Sequence, residues 1–321
     1  MRRLGGILSL AAVLAYVAFS IAPIWWVAMT AIKDPVEVAE ATPTFLPGPA
    51  PDPTATRDRG LTFTPYWRNF VDIFVAEERW WVRPDGSPSF SAPGPDDVGW
   101  TAQVDYERTD FLANLINSVI IAGLSTFIAV AMGTLAAYGF SRFTIAGAKD
   151  WLFFILSTRM LPPVVVAVPI FLMFSRLGLK DTHLGLIIIY TVFNISFAVW
   201  MMKGFMDEIP KEYEEAAVVD GYTRMQAFWK VVLPQAWTGI AATAVFCLIT
   251  AWNEYAFALI LTNEVAKTAP VTIAGFKGGS LGIEWGKMAA SSLVFMAPVV
   301  VFTFLMRDHL LRGITFGAIK K

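Results

Sequence analysis

Long apolar runs separated by short polar stretches dominate this chain. A helix needs about 20 mostly apolar residues to cross the hydrocarbon layer. Six segments meet that requirement: Leu4–Ile32, Ala113–Phe140, Trp151–Phe174, Leu184–Phe205, Ala236–Leu261 and Met288–Met306. The pattern predicts an all-α membrane protein with six transmembrane helices and both termini on one side. Lys and Arg near span ends and in short loops set the orientation. Arg2, Arg3, Arg142, Lys149, Lys203, Lys211, Arg224, Lys230, Arg307, Arg312, Lys320 and Lys321 fall on one face. Only Arg176, Lys180, Lys267, Lys277 and Lys287 fall in the two short loops of the other, so the N- and C-termini are expected inside.

The same pattern divides the chain into a first span at 1–35, an extracytoplasmic segment at 36–110, a core of five spans at 111–312 and a cytoplasmic tail at 313–321. The basic start Met1-Arg2-Arg3 resembles a signal peptide, but its apolar run exceeds the roughly 7–15 residues of a cleavable core and reads as an uncleaved span. Within 36–110, TPTFLPGPAPDPTATRDRG should be irregular, Tyr66–Val75 a short amphipathic helix, and Pro84–Pro95 a second irregular patch. Trp67, Trp80, Trp81 and Trp100 suit interfacial anchoring or a sugar-stacking surface. No internal repeat is visible.

Composition agrees with the spans. The chain is 56% hydrophobic and 16% charged, with a mean hydropathy of +0.55, whereas soluble domains carry about 25% charged residues. A net charge of -1 without clustered Lys and Arg argues against nucleic acid as a partner. The single Cys247 lies in an apolar run and reads as a buried small hydrophobe.

The polar loop 207–234 carries the most specific signal. Pro210 suits the first position of a helix, with Asp207 and Glu208 at its positive end. That helix, Pro210 to Asp220, should stop at Gly221, the residue best able to adopt a left-handed conformation. Thr223 and Gln226 fit a capping box that starts a second helix, closed by Leu233-Pro234. Ala216 and Ala217 leave a smooth face, Glu214 and Glu215 offer carboxylates to a partner arginine, and Met225, Phe228 and Trp229 add apolar bulk. A docking surface fits these features; an amphipathic helix packed on its own bundle is the other reading.

The sequence EAAVVDGYTRMQAFWKVVLP resembles the docking loop of permeases from ATP-binding-cassette importers, with Val231 where Ile is usual. NLINS at 114–118, AWNEYAFALILT at 251–262 and RGITFGAIK at 312–320 are similar to carbohydrate importer permeases of the maltose and glycerol-phosphate type. The resemblance spans about Phe111 to the C-terminus, and the segment 36–110 is longer than that subfamily leads one to expect.

The resemblance implies a type I importer fold in which 207–234 is a helix-bend-helix coupling element. It implies a second homologous permease, a dimer of ATPase subunits holding ATP and Mg2+, an extracytoplasmic solute-binding protein, and a carbohydrate or polyol as the solute. The coupling residues would be Glu214, Glu215, Ala216, Ala217, Asp220, Gly221, Leu233 and Pro234, with Arg312, Gly313 and Lys320 of the tail also meeting the ATPase. Gly278, Gly279 and Ser280 would form the tip of a loop that contacts the binding protein.

Inside the spans, Arg159 and Glu254 are ionisable and therefore candidates for function. Glu254 could accept bonds from sugar hydroxyls beside Asn253 and Trp252, or it could pair with Arg159 to hold the bundle. Asn117, Asn194 and Ser196 suit a solute path or interhelical hydrogen bonds. Pro162, Pro163 and Pro169, like Pro23, can kink their helices. The chain has no G-x-x-x-x-G-K-[ST] phosphate loop, no metal-ligand spacing and no catalytic constellation, which predicts a transport subunit without its own nucleotide site or cofactor. An intramembrane enzyme would need such a constellation, and an ion-gradient transporter would be expected to show inverted repeats.

Overall fold

In the computed structural model the described residues are 2–34, 38, 45–48, 62–84, 88–89, 99, 101–278 and 282–316. The chain forms two compact units, residues 1–112 with 273–296, and residues 113–272 with 297–321. The sequence pattern had divided it near residue 110 and grouped 273–296 with the core.

The first unit begins with α1 (Arg2–Ala31), which runs through Pro23. The external segment is stitched to its end. Asn69, buried on the short helix α2 (Arg68–Asp72), donates to the carbonyls of Ala31 at 3.0 Å and Lys33 at 2.8 Å, and Tyr66 N–H donates to Ile32. These bonds satisfy carbonyls that the end of α1 leaves open. The sequence pattern foresaw α2 but no strands. In the structure β1 (Leu46–Pro47) pairs with β2 (Thr62–Phe63). A three-stranded antiparallel sheet follows, in which β3 (Val75–Val82) pairs with β4 (Pro88–Ser89) on one edge and β5 (Thr101–Arg108) on the other. Mixed charged and aromatic residues in these strands give no clean alternation, so periodicity could not reveal them. The Pro-rich stretch 49–61 and Trp100 lie outside the described residues. Trp67 is exposed.

In the second unit α3 (Phe111–Arg142) and α6 (His183–Glu208) are long and unbroken. They approach closely at Gly133, where an added Cβ would lie 2.6 Å from the Cβ of Ala198. Ala129, Gly133 and Ala137 form a buried small-residue stripe, the pattern that lets helix backbones approach in a membrane. Gly133→Ala is expected to overpack this crossing and cost about 1–3 kcal/mol, read as a lower unfolding temperature of the purified protein.

The third predicted span is two helices, α4 (Ala148–Thr158) and α5 (Pro163–Arg176), bent by 86°. Pro162 and Pro163 do more than kink it. A residue before proline is pushed out of the helical region, and Pro162 sits at ψ 132, so the helix stops and α5 restarts at Pro163. The fifth span also differs from the expected Ala236–Leu261: α10 (Trp237–Trp252) ends at Asn253 and a short α11 (Ala256–Leu261) follows. Among the described residues, four helices are long and apolar enough to cross a membrane, and the number rises to six if each bent pair is one span.

At the extracytoplasmic end, Asp181 (φ 55) links the α5–α6 turn to the stretch after α11. Its carboxylate accepts from the N–H groups of Asn263, Glu264, Val265 and Ala266 at 3.0–3.2 Å. Burial alone would raise the carboxyl pKa, but the four backbone donors outweigh it and hold Asp181 below its ordinary value. A folded-state pKa below the unfolded value of about 3.9 means the stabilisation is complete above that value and is lost as pH falls through the folded one. Asp181→Asn is therefore expected to lower the melting temperature at pH 7, with the gap closing as the pH falls below 4. An equal gap across that range would show that the charge is not what holds the turn.

Candidate functional site

The loop 207–234 folds as two helices around a sharp bend. The first, α7 (Lys211–Val219), follows Pro210. It ends in a Schellman motif: Tyr222 N–H donates to Ala217, Gly221 N–H donates to Val218, and Gly221 takes φ 90. Thr223 then makes both bonds of a capping box with Gln226 at the start of α8 (Arg224–Ala227). Leu233-Pro234 does not close this second helix as the sequence pattern suggested. A π-helical turn, Phe228–Val232, runs into α9 (Leu233–Gln235), and the chain bends by 72° only between α9 and α10. The wide turn accommodates a proline that lacks an N–H and would crowd the carbonyl four residues earlier.

The adjacent carboxylates Glu214 and Glu215 of α7 part company. Glu215 is exposed beside exposed Ala216 and Asp220. Glu214 is turned inward, 7% exposed, and is not free for a partner. Its carboxylate pairs with Arg142 at the end of α3 at 3.0 Å and accepts a short hydrogen bond from the Tyr138 hydroxyl. Ala217 is likewise buried, which leaves Ala216 as the accessible half of the pair. Phe228 also points inward. It packs 4.6 Å from the Tyr138 ring in a cluster with Ala137, Met202, Met206 and Val232. Val219, Met225 and Trp229 stay outside at 86%, 61% and 56% exposure, large apolar groups that a purely solvated loop would not need.

Arg142 was visible in the sequence only as a basic residue at a span end. The structure makes it a hub, donating to Glu214, to Ser141, and to the carbonyls of Met206 at 3.1 Å and Ile209 at 2.9 Å. It thereby holds both sides of the joint between α6 and α7.

Where α4 gives way to α5 and α10 to α11, a cavity of roughly 200 Å³ opens among Arg159, Tyr190, Phe193, Asn194, Thr250 and Glu254. Arg159 and Glu254 both line it, yet no salt bridge joins them among the described residues. Arg159 donates to the Phe193 carbonyl at 3.1 Å and lies over the Phe197 ring. The Glu254 carboxylate caps α11 instead, accepting from Phe257 N–H at 3.0 Å and Ala258 N–H at 3.2 Å. Asn253 is exposed and donates back to Ile249. Trp252 is 4% exposed and so is not presented as a stacking platform.

The family model for "Binding-protein-dependent transport system inner membrane component" matches residues 99–315. The chain belongs to this family. Among curated relatives, a probable ABC transporter permease protein, y4oR, of Sinorhizobium fredii is 34% identical over 83% of this chain and 98% of its own. The trehalose transport system permease protein SugB of Mycobacterium tuberculosis is 38% identical over 65% of this chain and 77% of its own. Among solved structures, a bacterial ABC transporter involved in the import of the acidic polysaccharide alginate shares the fold at a TM-score of 0.65, with 19% identity over 95% of this chain and 96% of that one. The protein is thus a multi-pass inner membrane permease of an ABC importer.

Other residues of the permease singled out in the sequence have structural positions of their own. Asn117 does not face the cavity around Arg159: its amide donates to the carbonyls of Val265 and Lys267, and its oxygen meets His183 at 2.7 Å. Asn194 bonds the Cys247 carbonyl and the Thr250 hydroxyl, and Ser196 meets Thr158, so both join helices. Gly278 lies in a two-residue strand paired with Gly282–Ile283, while Gly279 and Ser280 lie outside the described residues. Arg312 and Gly313 belong to the helix Trp285–Phe316, and Lys320 lies outside the described residues.

Proposed function

We propose that the permease pairs with a second, homologous permease, rests on two ATPase subunits that hold ATP and Mg2+, and passes a carbohydrate or polyol delivered by a solute-binding protein. The observation that carries this reading is the α7–α8 elbow. It is a short, rigidly capped helix pair that presents the exposed carboxylates of Glu215 and Asp220 and the exposed Val219, Met225 and Trp229. The trehalose system of the relative SugB supports a carbohydrate.

In this reading Glu215, Ala216, Asp220 and Gly221 form the docking face, while Glu214, Ala217, Leu233 and Pro234 shape it from beneath. Arg312, Gly313 and Lys320 extend the ATPase contact, and Gly278–Ser280 meet the binding protein. The cavity around Arg159 and Glu254 is this subunit's share of the solute path. Its spare guanidinium donors suit hydroxyl oxygens.

Affinity purification of the tagged chain from its host membrane tests the assembly. Recovery of an ATPase and a second permease is expected, and Glu215→Lys should remove the ATPase from the recovered set. A chain that purifies alone and still transports in liposomes would overturn the reading.

A further inference from the structure

We propose that Arg142 is a positioning residue that locks the α6–α7 joint, so that α3, α6 and the docking helix α7 move as one body and carry the ATPase stroke straight to the extracytoplasmic loop 263–272. The proposal rests on α7 being the docking helix.

Between α6 and α7 the chain turns through Ile209-Pro210, where the backbone is extended and the last bond of α6 is a long one, from Ile209 N–H to the Met206 carbonyl at 3.4 Å. Left alone, such a joint would flex. Arg142 closes it from outside. Its guanidinium bonds Met206 and Ile209 on the α6 side and Glu214 on the α7 side, and both charged side chains of the ion pair are under 10% exposed. A planar fork with several fixed donors can hold these acceptors at once, which an ammonium cannot do in the same geometry. The Tyr138 hydroxyl on Glu214 ties α3 to α7, and the Ser141 hydroxyl on Asp207 ties α3 to α6.

The outer ends are tied as well. Asn117 near the start of α3 bonds Val265 and Lys267 and meets His183 at the start of α6. Ser118 accepts from Ala269 N–H, Asn114 bonds Thr272, and Asp181 holds 263–266. In sequence this loop runs directly on into 275–286. α3 has 32 residues, about 48 Å at 1.5 Å per residue, with no proline and no break. The third span is bent by 86° and the fifth is interrupted between α10 and α11, so both would absorb a displacement rather than transmit it. A stiff pair fixed at both ends, flanked by jointed spans, is the arrangement of a lever beside a gate.

The test uses the whole transporter purified with its partners and returned to liposomes. Spin labels at Phe127→Cys on α3 and Val218→Cys on α7 report the distance across the joint. The native Cys247 is buried. The distance is expected to be the same in the nucleotide-free and ATP-bound states, and to differ between them once Arg142→Lys is added. In that variant, uptake per ATP hydrolysed should fall about tenfold while the ATPase stays bound and active. A purely structural role would instead lower assembly, hydrolysis and uptake together. A distance that already changes in the unmodified transporter, or an unchanged uptake-to-hydrolysis ratio in Arg142→Lys, overturns the proposal alone. Failure of any ATPase to purify with the unmodified chain overturns the docking reading and this proposal with it.

Discussion

Gly221→Pro is expected to abolish uptake while the subunit still inserts and is recovered at normal levels. Gly221 sits at φ 90 and its N–H donates to Val218. Proline fixes φ near -65° and has no N–H. The substitution therefore removes one bond of the Schellman motif and forbids the backbone angle that aims α8 away from α7. Space is not the problem, because an added Cβ at Gly221 would meet nothing within 4 Å. Gly221→Ala isolates the conformational part, costing roughly 1–2 kcal/mol, and should leave partial uptake. Transport assays on both variants, with membrane content measured by immunoblot, check the order: wild type, then alanine, then proline at background. Normal uptake with proline would mean that the bend is not needed for coupling.

The second large effect is on stability. Arg142→Ala leaves the Glu214 carboxylate buried without its cation and strips donors from the Met206 and Ile209 carbonyls. Breaking a buried pair from one side typically costs about 3–5 kcal/mol, because an uncompensated charge stays behind. The purified variant should melt well below wild type, and residues 207–223 should become open to protease first. Replacing both partners, as in Arg142→Met with Glu214→Leu, removes the stranded charge and should recover part of the loss. If the double variant melts no higher than Arg142→Ala, the ion pair is not the cause of the instability.

The site was legible where its signals were local. Gly221, the Thr223 and Gln226 cap, and the spans Ala113–Phe140 and Leu184–Phe205 follow from residue chemistry within a few positions, and α3, α6 and the elbow appear where that chemistry put them. Elsewhere local rules gave the tendency but not its extent. The paired prolines announced a kink, and the structure shows a full 86° break. Leu233-Pro234 looked like a stop, but the preceding π turn carries the helix past it.

What the sequence alone determined is the membrane class, the positions of the long unbroken spans, and the existence and sharp bend of the 207–234 elbow. Apolar length and the conformational freedom of one glycine are properties of short stretches. Only the tertiary structure decided which of two adjacent glutamates faces a partner, since Glu214 turns inward to an arginine 72 positions earlier in the chain. It also decided that Glu254 caps a helix rather than pairing with Arg159, and that Asn117 ties an outer loop. A buried charge takes whichever partner the packing brings within hydrogen-bond distance, and that choice is written in contacts between distant segments rather than in the pattern of any one of them.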